Sequence, residues 1–381
     1  MCSKMTSLIV CIAGKNEIAV NALYYLYNLG WRERLLVCVN RTDKGKSDWQ
    51  PSLLYHASRL GVRVVDLETL QEIENLVFIS LEFDRIIQPD RFKSNRLYNI
   101  HFSALPAYKG MYTSSLPILH GADFSGVTLH EIDFGIDTGP IISQVKFAVQ
   151  NSWTARDLYF TYMEKGFDLF VNYFNRLVDS ELPKSTPQPA HGSTYFSKNS
   201  IDYKNVVINL ENTAECIVRQ LRAFSFREYQ TPIIHGMEIG EWRILPERSR
   251  LRPGKIVKMD DETITISTID YNLSLSRSKW AGWFKRKRDY GGGGPDKKYI
   301  DVRNIEGRTP LIEAVLSMDI DWCRFLLNHG ANPNIGDVDG VTPLCYCETL
   351  PEGKIKNYIK NLLIRSGAQT FCENLFFTNF Q

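Results

Sequence analysis

The sequence predicts a chain in three parts: an α/β half built on a doubly wound sheet, then a small mainly β domain, then an all-α repeat module. Three observations predict it. Apolar runs of strand length alternate with helical patterns from residue 7 to residue 81. Pro183, Pro187 and Pro189 break the chain. The segment Gly307-Arg-Thr-Pro-Leu311 recurs 33 residues later as Gly340-Val-Thr-Pro-Leu344. These signals divide the chain at residues 1–185, 186–294 and 295–381.

The first half opens with residues 7–13, an unbroken apolar run suited to a buried parallel strand. Gly14-Lys15-Asn16 then turns into a helical pattern through Leu23, Leu26 and Leu29. Strands follow at Leu35–Val39, Val62–Val65 and Leu76–Leu81, with helical patterns at 52–60 and before the last strand. The first turn lacks the G-x-G-x-x-G fingerprint, which disfavours a dinucleotide-dependent dehydrogenase. A helix N-terminus after Gly14 is suited to a phosphate, with Lys15 as a point charge, and equally to a plain strand-to-helix turn.

Leu97–Ile100 reads as a short strand that spills into a polar loop, His101-Phe102-Ser103-Ala104-Leu105-Pro106. Residues 126–133 and 140–149 alternate as two strands around Gly135-Ile136-Asp137-Thr138-Gly139. If both loops leave the same sheet edge, Asn99, His101 and Asp137 converge, because open α/β sheets place their chemistry at strand ends. An amide, an imidazole and a carboxylate without a Ser or Cys nucleophile suit direct acyl transfer to an amine. Read alone, His101 serves as readily as a structural histidine, and Ser103 as a group that holds the loop. Residues 153–178 form a long amphipathic helix with an apolar stripe of core type.

After the prolines, a helix is expected over Thr213–Arg222, capped by Asn212 or Thr213, and short strands near 239–244, 254–259 and 263–268 suit a barrel-like domain. The aromatic and Arg-rich segment Arg222–Pro232 fits either that domain's core or a stacked ligand. Gly291–Gly294 marks a flexible break. The 33-residue period with its T-P-L turn is the ankyrin signature. Gly330-Ala331 and Gly367-Ala368 close the two helix pairs 37 residues apart, which places about four extra residues at Leu350–Gly353. Trp322 suits core packing better than base stacking.

Composition narrows the function. A formal net charge of +2 in 381 residues offers no electrostatic case for nucleic acid or an anionic membrane. The cluster Lys285–Arg288 reads as a solvated turn. The eight cysteines show no CxxC pair, and Cys11, Cys38 and Cys216 sit in apolar runs, as expected of reduced thiols in a cytoplasmic protein. Cys345 and Cys347 lack partners at zinc spacing, so no metal is expected. The first apolar run is too short for a membrane span or a signal-peptide core.

The order Asn-x-His-x-Ser-x-Leu-Pro-x-x-x-Gly (Asn99–Gly110), Gly-Val-Thr-x-His (Gly126–His130) and Asp-x-Gly-x-Ile (Asp137–Ile141) resembles the formyltransferases that use 10-formyltetrahydrofolate. The resemblance spans roughly residues 7–245 and implies a Rossmann-like formyltransferase domain. It implies that Asn99, His101 and Asp137 are catalytic, with Asn99 on the oxyanion, His101 in acid–base and electrostatic work, and Asp137 in proton handling. It implies that the folate ring lies against the main chain of the Leu81–Ile86 segment (Leu81, Phe83, Asp84 and Ile86) and of the Asp133–Ile136 loop (Asp133, Gly135 and Ile136). Gly14, Lys15 and Asn16 match where relatives hold a phosphate of the amine substrate; Arg222 and Tyr229 fall in a segment similar to that of sugar formyltransferases.

The three-part layout most resembles the members that formylate dTDP-3-amino-3,6-dideoxyglucose for surface polysaccharide (O-antigen) synthesis. A methionyl-tRNA formyltransferase, or an ankyrin-based interaction protein with a vestigial catalytic half, are the alternatives. A homodimer is a further expectation from the family. The ankyrin module is left with a protein partner, a neighbouring subunit or a second small ligand.

Overall fold

The computed structural model describes residues 8–46, 50–227, 229–278, 300–301, 303 and 307–369. The basic cluster Lys285–Arg288 and the glycine run Gly291–Gly294 lie outside the described residues. Two compact units are present, one within residues 8–46 and 51–278, the other from residue 300 onward.

The first unit opens with β1 (Ile9–Gly14), α1 (Asn16–Asn28), β2 (Leu35–Val39), α2 (Leu53–Leu60), β3 (Arg63–Val64), α3 (Leu67–Gln71), β4 (Leu76–Leu81) and β5 (Arg96–His101). After a short β6 (Lys109–Gly110) and α4 (Leu116–Leu119) come β7 (Phe124–Glu131), β8 (Ile141–Ala148) and α5 (Ala155–Leu177). Seven strands form one sheet in the order β3-β2-β1-β4-β5-β7-β8. Pairing is parallel through β5, then antiparallel for β5–β7 and β7–β8.

Successive residues of β1 serve opposite layers, as the pleat requires. Val10 and Ile12 join the core under α1, α2 and α5, while Cys11 and Ala13 join the one around Phe78 and Phe92. Burial on both faces explains why the inner strands read as unbroken apolar runs. The α5 helix starts at a capping box, with Thr154 accepting from the Asp157 N–H and Asp157 from that of Thr154. Its buried face is Ala155, Leu158, Tyr162, Met163, Gly166, Leu169, Phe170, Phe174 and Leu177.

The proline stretch redirects the chain without separating the two halves. Beyond it, β9 (Tyr195–Phe196) returns to pair with β6. Next come α6 (Ala214–Phe224), β10 (Ile233–Ile234), β11 (Met237–Arg248), β12 (Ile256–Met259), β13 (Thr263–Ile266) and β14 (Tyr271–Arg277). Thr213 is the cap of α6, accepting from the Cys216 N–H. The expected barrel is instead an open sheet, β10-β11-β14-β13-β12, with β10 and β12 as edges. Its core brings Ile217 and Leu221 of α6 against Ile239, Ile264, Ile266, Leu273 and Leu275, and it includes Leu116 of α4. The division expected near residue 185 is thus bridged by strand pairing and by shared core.

The second unit has two helix pairs, α7 (Pro310–Leu316) with α8 (Ile320–Asn328) and α9 (Pro343–Thr349) with α10 (Lys354–Arg365). Thr309 and Thr342 cap α7 and α9, each with Pro at the first turn. The expected four extra residues are divided: the loop at 350–353 is one residue longer than that at 317–319, and α10 has 12 residues against 9 in α8. Trp322 is buried and stacked on Phe325 at 5.0 Å, so it is core. Cys11, Cys38 and Cys216 are free thiols, as expected of them, and so are Cys323 and Cys347; Cys345 is in a disulfide. No helix among the described residues is long and apolar enough to cross a membrane.

Candidate active site

Asn99 and His101 are two apart on β5 and therefore share a face, while Ile100 points to the core. The loop after them is fastened from below. Ser103 Oγ donates to Ala107 O at 2.7 Å, Thr128 Oγ1 donates to Ser103 O at 2.7 Å, and Gln144 Nε2 donates to Leu105 O at 2.9 Å. Ser103 is fully buried in this work. Tyr108, at φ 58°, turns its carbonyl to His101 Nε2 at 2.8 Å. A carbonyl only accepts, so Nε2 carries the hydrogen, and Nδ1 is the ring nitrogen that meets Asp137 Oδ2 at 3.4 Å.

Asp137 arrives from the loop after β7, held at φ 55°. Asp133 Oδ1 accepts from Thr138 Oγ1 (2.6 Å) and the Gly135 N–H (3.1 Å), which shapes the turn. Gln188 Nε2 donates to the carbonyls of Asp137 and Gly139, both at 2.8 Å. The Gly110 N–H donates to Asp137 Oδ2 at 2.9 Å, and Asn99 Nδ2 to Oδ1 at 3.2 Å. Burial alone would raise this carboxyl, but His101, His130 and the Gly110 N–H outweigh it and hold Asp137 well below the usual carboxylate range. Burial pushes His101 below the usual imidazole value, against the pull of Asp137 and the Tyr108 carbonyl. With Nε2 turned to the Tyr108 carbonyl, Nδ1 is the ring nitrogen placed to exchange a proton with Asp137.

The three groups face a cavity of about 790 Å³. Lys15, Phe83, Asp84, Ile86, Asp133, Gly135 and Ile136 line it. Ile86 and Ile136 offer apolar side chains, 70% and 38% exposed. Other expected contacts lie elsewhere. Leu81 is fully buried, and its carbonyl accepts from the Lys15 N–H at 3.2 Å. Gly14 is not among the lining residues; it packs so closely on β4 that a Cβ there would overlap the Leu81 carbonyl oxygen. Asn16 spends its amide on Glu82 Oε2 and Tyr159 Oη, both at 2.8 Å. Arg222 is buried and donates to Trp153 O (2.8 Å) and Gln150 O (3.2 Å), so it braces the start of α5 rather than a ligand. Tyr229 is half exposed and packs on Phe226, which meets Tyr159.

Some of the site was not singled out in the sequence. His130 lies opposite Asn99 in the β5–β7 register, with Nε2 3.1 Å from Asn99 Nδ2. Its motif was visible, but its placement follows only from the antiparallel turn of β7. Glu82, at φ 58°, lines the cavity and has its pKa raised by burial, against Lys15, Asn16 and Tyr159. Gln188 reaches the site from the proline stretch, and Tyr195, Ser197, Lys198 and Asn199 from just beyond it. Among the described residues, no group of three or more His, Cys, Asp or Glu side chains is arranged to hold a metal ion.

Comparison with known proteins fits this arrangement. The family described as Formyl transferase matches residues 62–173, and an ankyrin repeat matches residues 306–338. The crystal structure of WlaRD, a sugar 3N-formyl transferase in the presence of dTDP and 5-N-formyl-THF, is 41% identical, with a TM-score of 0.66 over 71% of this chain and 98% of that one. An N-formyltransferase from Helicobacter canadensis, in complex with folinic acid and dTDP-3-aminofucose, is also 41% identical, with a TM-score of 0.66 over 71% of this chain and 99% of that one. A methionyl-tRNA formyltransferase of Burkholderia vietnamiensis is 33% identical over 68% of this chain and 86% of its own length. Against that of Paraburkholderia phymatum the figures are 30%, 48% and 56%.

Proposed function

We propose, from the premise that this chain belongs to the formyltransferase family, that it moves a formyl group from 10-formyltetrahydrofolate to the amine of a dTDP-linked amino-dideoxy sugar, with the 3-amino sugar as first choice. The observation that carries this reading is the 41% identity maintained over nearly the whole length of two sugar N-formyltransferases. The cavity fits the donor in kind: apolar Ile86 and Ile136 suit a flat ring system, and the 82–87 segment supplies main-chain polar groups beside them. The bound donor supplies an activated formyl carbon.

This chain's residues do the rest. Asp137 accepts an N–H of the incoming amine and takes its proton as that nitrogen bonds to the formyl carbon, and Nδ1 of His101, 3.4 Å away, relays a proton to the tetrahydrofolate nitrogen as its bond to the same carbon breaks. Asn99 is the amide donor for the carbonyl oxygen as it gains charge. Lys15 lines the cavity together with Arg85 and Lys198, and it is the cation that takes the diphosphate role expected also of Gly14 and Asn16. A role in surface polysaccharide synthesis and a homodimeric, cytoplasmic enzyme belong to the same reading.

The 33% identity to a methionyl-tRNA formyltransferase favours a second reading, transfer to methionyl-tRNA. A panel of dTDP- and UDP-linked amino sugars with methionyl-tRNA, read by mass spectrometry, separates them. Formylation of a dTDP-3-amino sugar is expected. Formylation of the tRNA alone would overturn the proposal.

A further inference from the structure

A row of side chains crosses the sheet at the floor of the cavity. Ala13 of β1, Ser80 of β4, Asn99 of β5 and His130 of β7 are successive register partners and so share one face. One pleat below, the row is Cys11, Phe78 and Leu97, and it belongs to apolar core. Asn99 and His130 bond to each other within the site. Ser80 lines the cavity and is only 7% exposed, yet among the described residues its hydroxyl has no hydrogen-bond partner. Other serines buried as deeply in this unit spend theirs. Ser94 donates to Leu76 O at 2.5 Å and Ser103 to Ala107 O at 2.7 Å, while Ser115 meets Tyr203 Oη and Ser125 meets Tyr162 Oη, both at 2.6 Å. A buried hydroxyl left unpaired is a net cost to a fold. This fold carries that cost at a place where a ligand can meet the hydroxyl.

We propose that Ser80 is a further catalytic residue, whose hydroxyl donates to the formyl oxygen beside Asn99. The inference rests on the formyl-transfer reading of the site. Neighbouring strands lie about 4.8 Å apart, so an oxygen held by the Asn99 amide is within reach of the side chain at the paired position of β4. Asn99 by itself is a divided donor, because its Nδ2 is already shared with His130 Nε2 at 3.1 Å and Asp137 Oδ1 at 3.2 Å. Ser80 lies on the strand that continues into the 82–87 segment, the wall proposed for the donor ring, so its hydroxyl meets the donor rather than the sugar. As the amine nitrogen bonds to the formyl carbon, the second C=O electron pair moves onto the oxygen, where the Ser80 O–H and the Asn99 N–H meet the growing charge. Ser80 keeps its proton. The electron pair returns as the bond from carbon to the tetrahydrofolate nitrogen breaks; the amine's proton goes to Asp137, and the departing nitrogen takes one through His101. With no partner to leave, the Ser80 hydroxyl turns to the oxygen without breaking a hydrogen bond of the protein.

Ser80→Ala in the full chain is the test. In steady-state kinetics with a dTDP-3-amino sugar, kcat is expected to fall about 100-fold, the effect of losing one donor to an oxygen that gains charge, with little change in KM for either substrate. A kcat within about threefold of wild type would overturn the proposal. Isotope-edited infrared spectroscopy reads the contact itself, with the donor labelled with 13C at the formyl carbon and bound without amine. A hydrogen bond to the formyl oxygen lowers its C=O stretch, so the band is expected at higher frequency in the variant than in wild type; an unmoved band would sink the idea. Denaturant unfolding separates this role from a structural one. Without ligand the variant should be as stable as wild type, since the hydroxyl it lacks holds nothing in the fold. A clear loss of stability would give Ser80 a partner in the protein and would likewise overturn the proposal. A wild-type enzyme that formylates no amine offered would remove the proposed substrate, while the infrared band, which needs no amine, would still judge Ser80.

Discussion

At the scale of single residues, the site works through committed valences. His101→Asn removes the ring nitrogen that meets Asp137, and a loss of about 10² to 10⁴ in kcat is expected with the fold retained, checked by steady-state kinetics and circular dichroism. The lowered pKa of His101 also makes stability depend on pH. The unfolded ring binds a proton near pH 6.5 while the folded one resists it, so stability is full above about pH 6.5 and falls as pH drops below it. Melting of wild type and His101→Gln on either side of that value should show a smaller acid loss in the variant; equal losses would contradict a neutral, buried His101. Arg222 tests placement in the opposite sense. Arg222→Ala strips donors from two carbonyls at the start of α5, so a loss of about 1–3 kcal/mol in stability is expected with the KM for sugar unchanged. A raised KM without loss of stability would return Arg222 to the ligand.

At the scale of elements, the sequence was most legible where burial is two-sided. Runs such as Leu35–Val39 and Leu76–Leu81 coincide with β2 and β4 because strands covered on both faces are apolar at nearly every position, with Ser80 the one polar residue of the two. The two Thr-Pro helix starts were legible because the cap is a local hydrogen bond, written in adjacent residues. Thr309→Ala and Thr342→Ala should each cost about 1 kcal/mol, measured by denaturant unfolding of the repeat unit. The last strand, Tyr271–Arg277, was missed because its Asn and Ser residues dilute the apolar pattern while its backbone pairs with β11 and β13. Asn99, His101 and Asp137 were found as polar residues at loop mouths. His130 was not assigned, because a residue buried inside β7 gives no such sign; only the reversal of β7 against β5 brings it to Asn99. Arg222 and Asn16 misled because a polar side chain near a site can serve backbone or neighbours as well as a ligand.

At the scale of the whole molecule, every group of the described site belongs to the unit that ends before the repeats. A chain ended at Gly294 is therefore expected to keep kcat within about threefold of the full protein, since a unit with its own core can fold alone. A larger loss would tie the repeats to catalysis. The unit itself is harder to shorten. Gln188 ties down the carbonyls of Asp137 and Gly139 from beyond the prolines, and β9 fixes the loop that carries Gly110. For anyone trimming this enzyme into a smaller catalyst, the family match that stops at residue 173 marks the wrong place to cut. A fragment closed there would inherit the amide, the imidazole and the carboxylate, yet not the latch that keeps the carboxylate's loop in one shape.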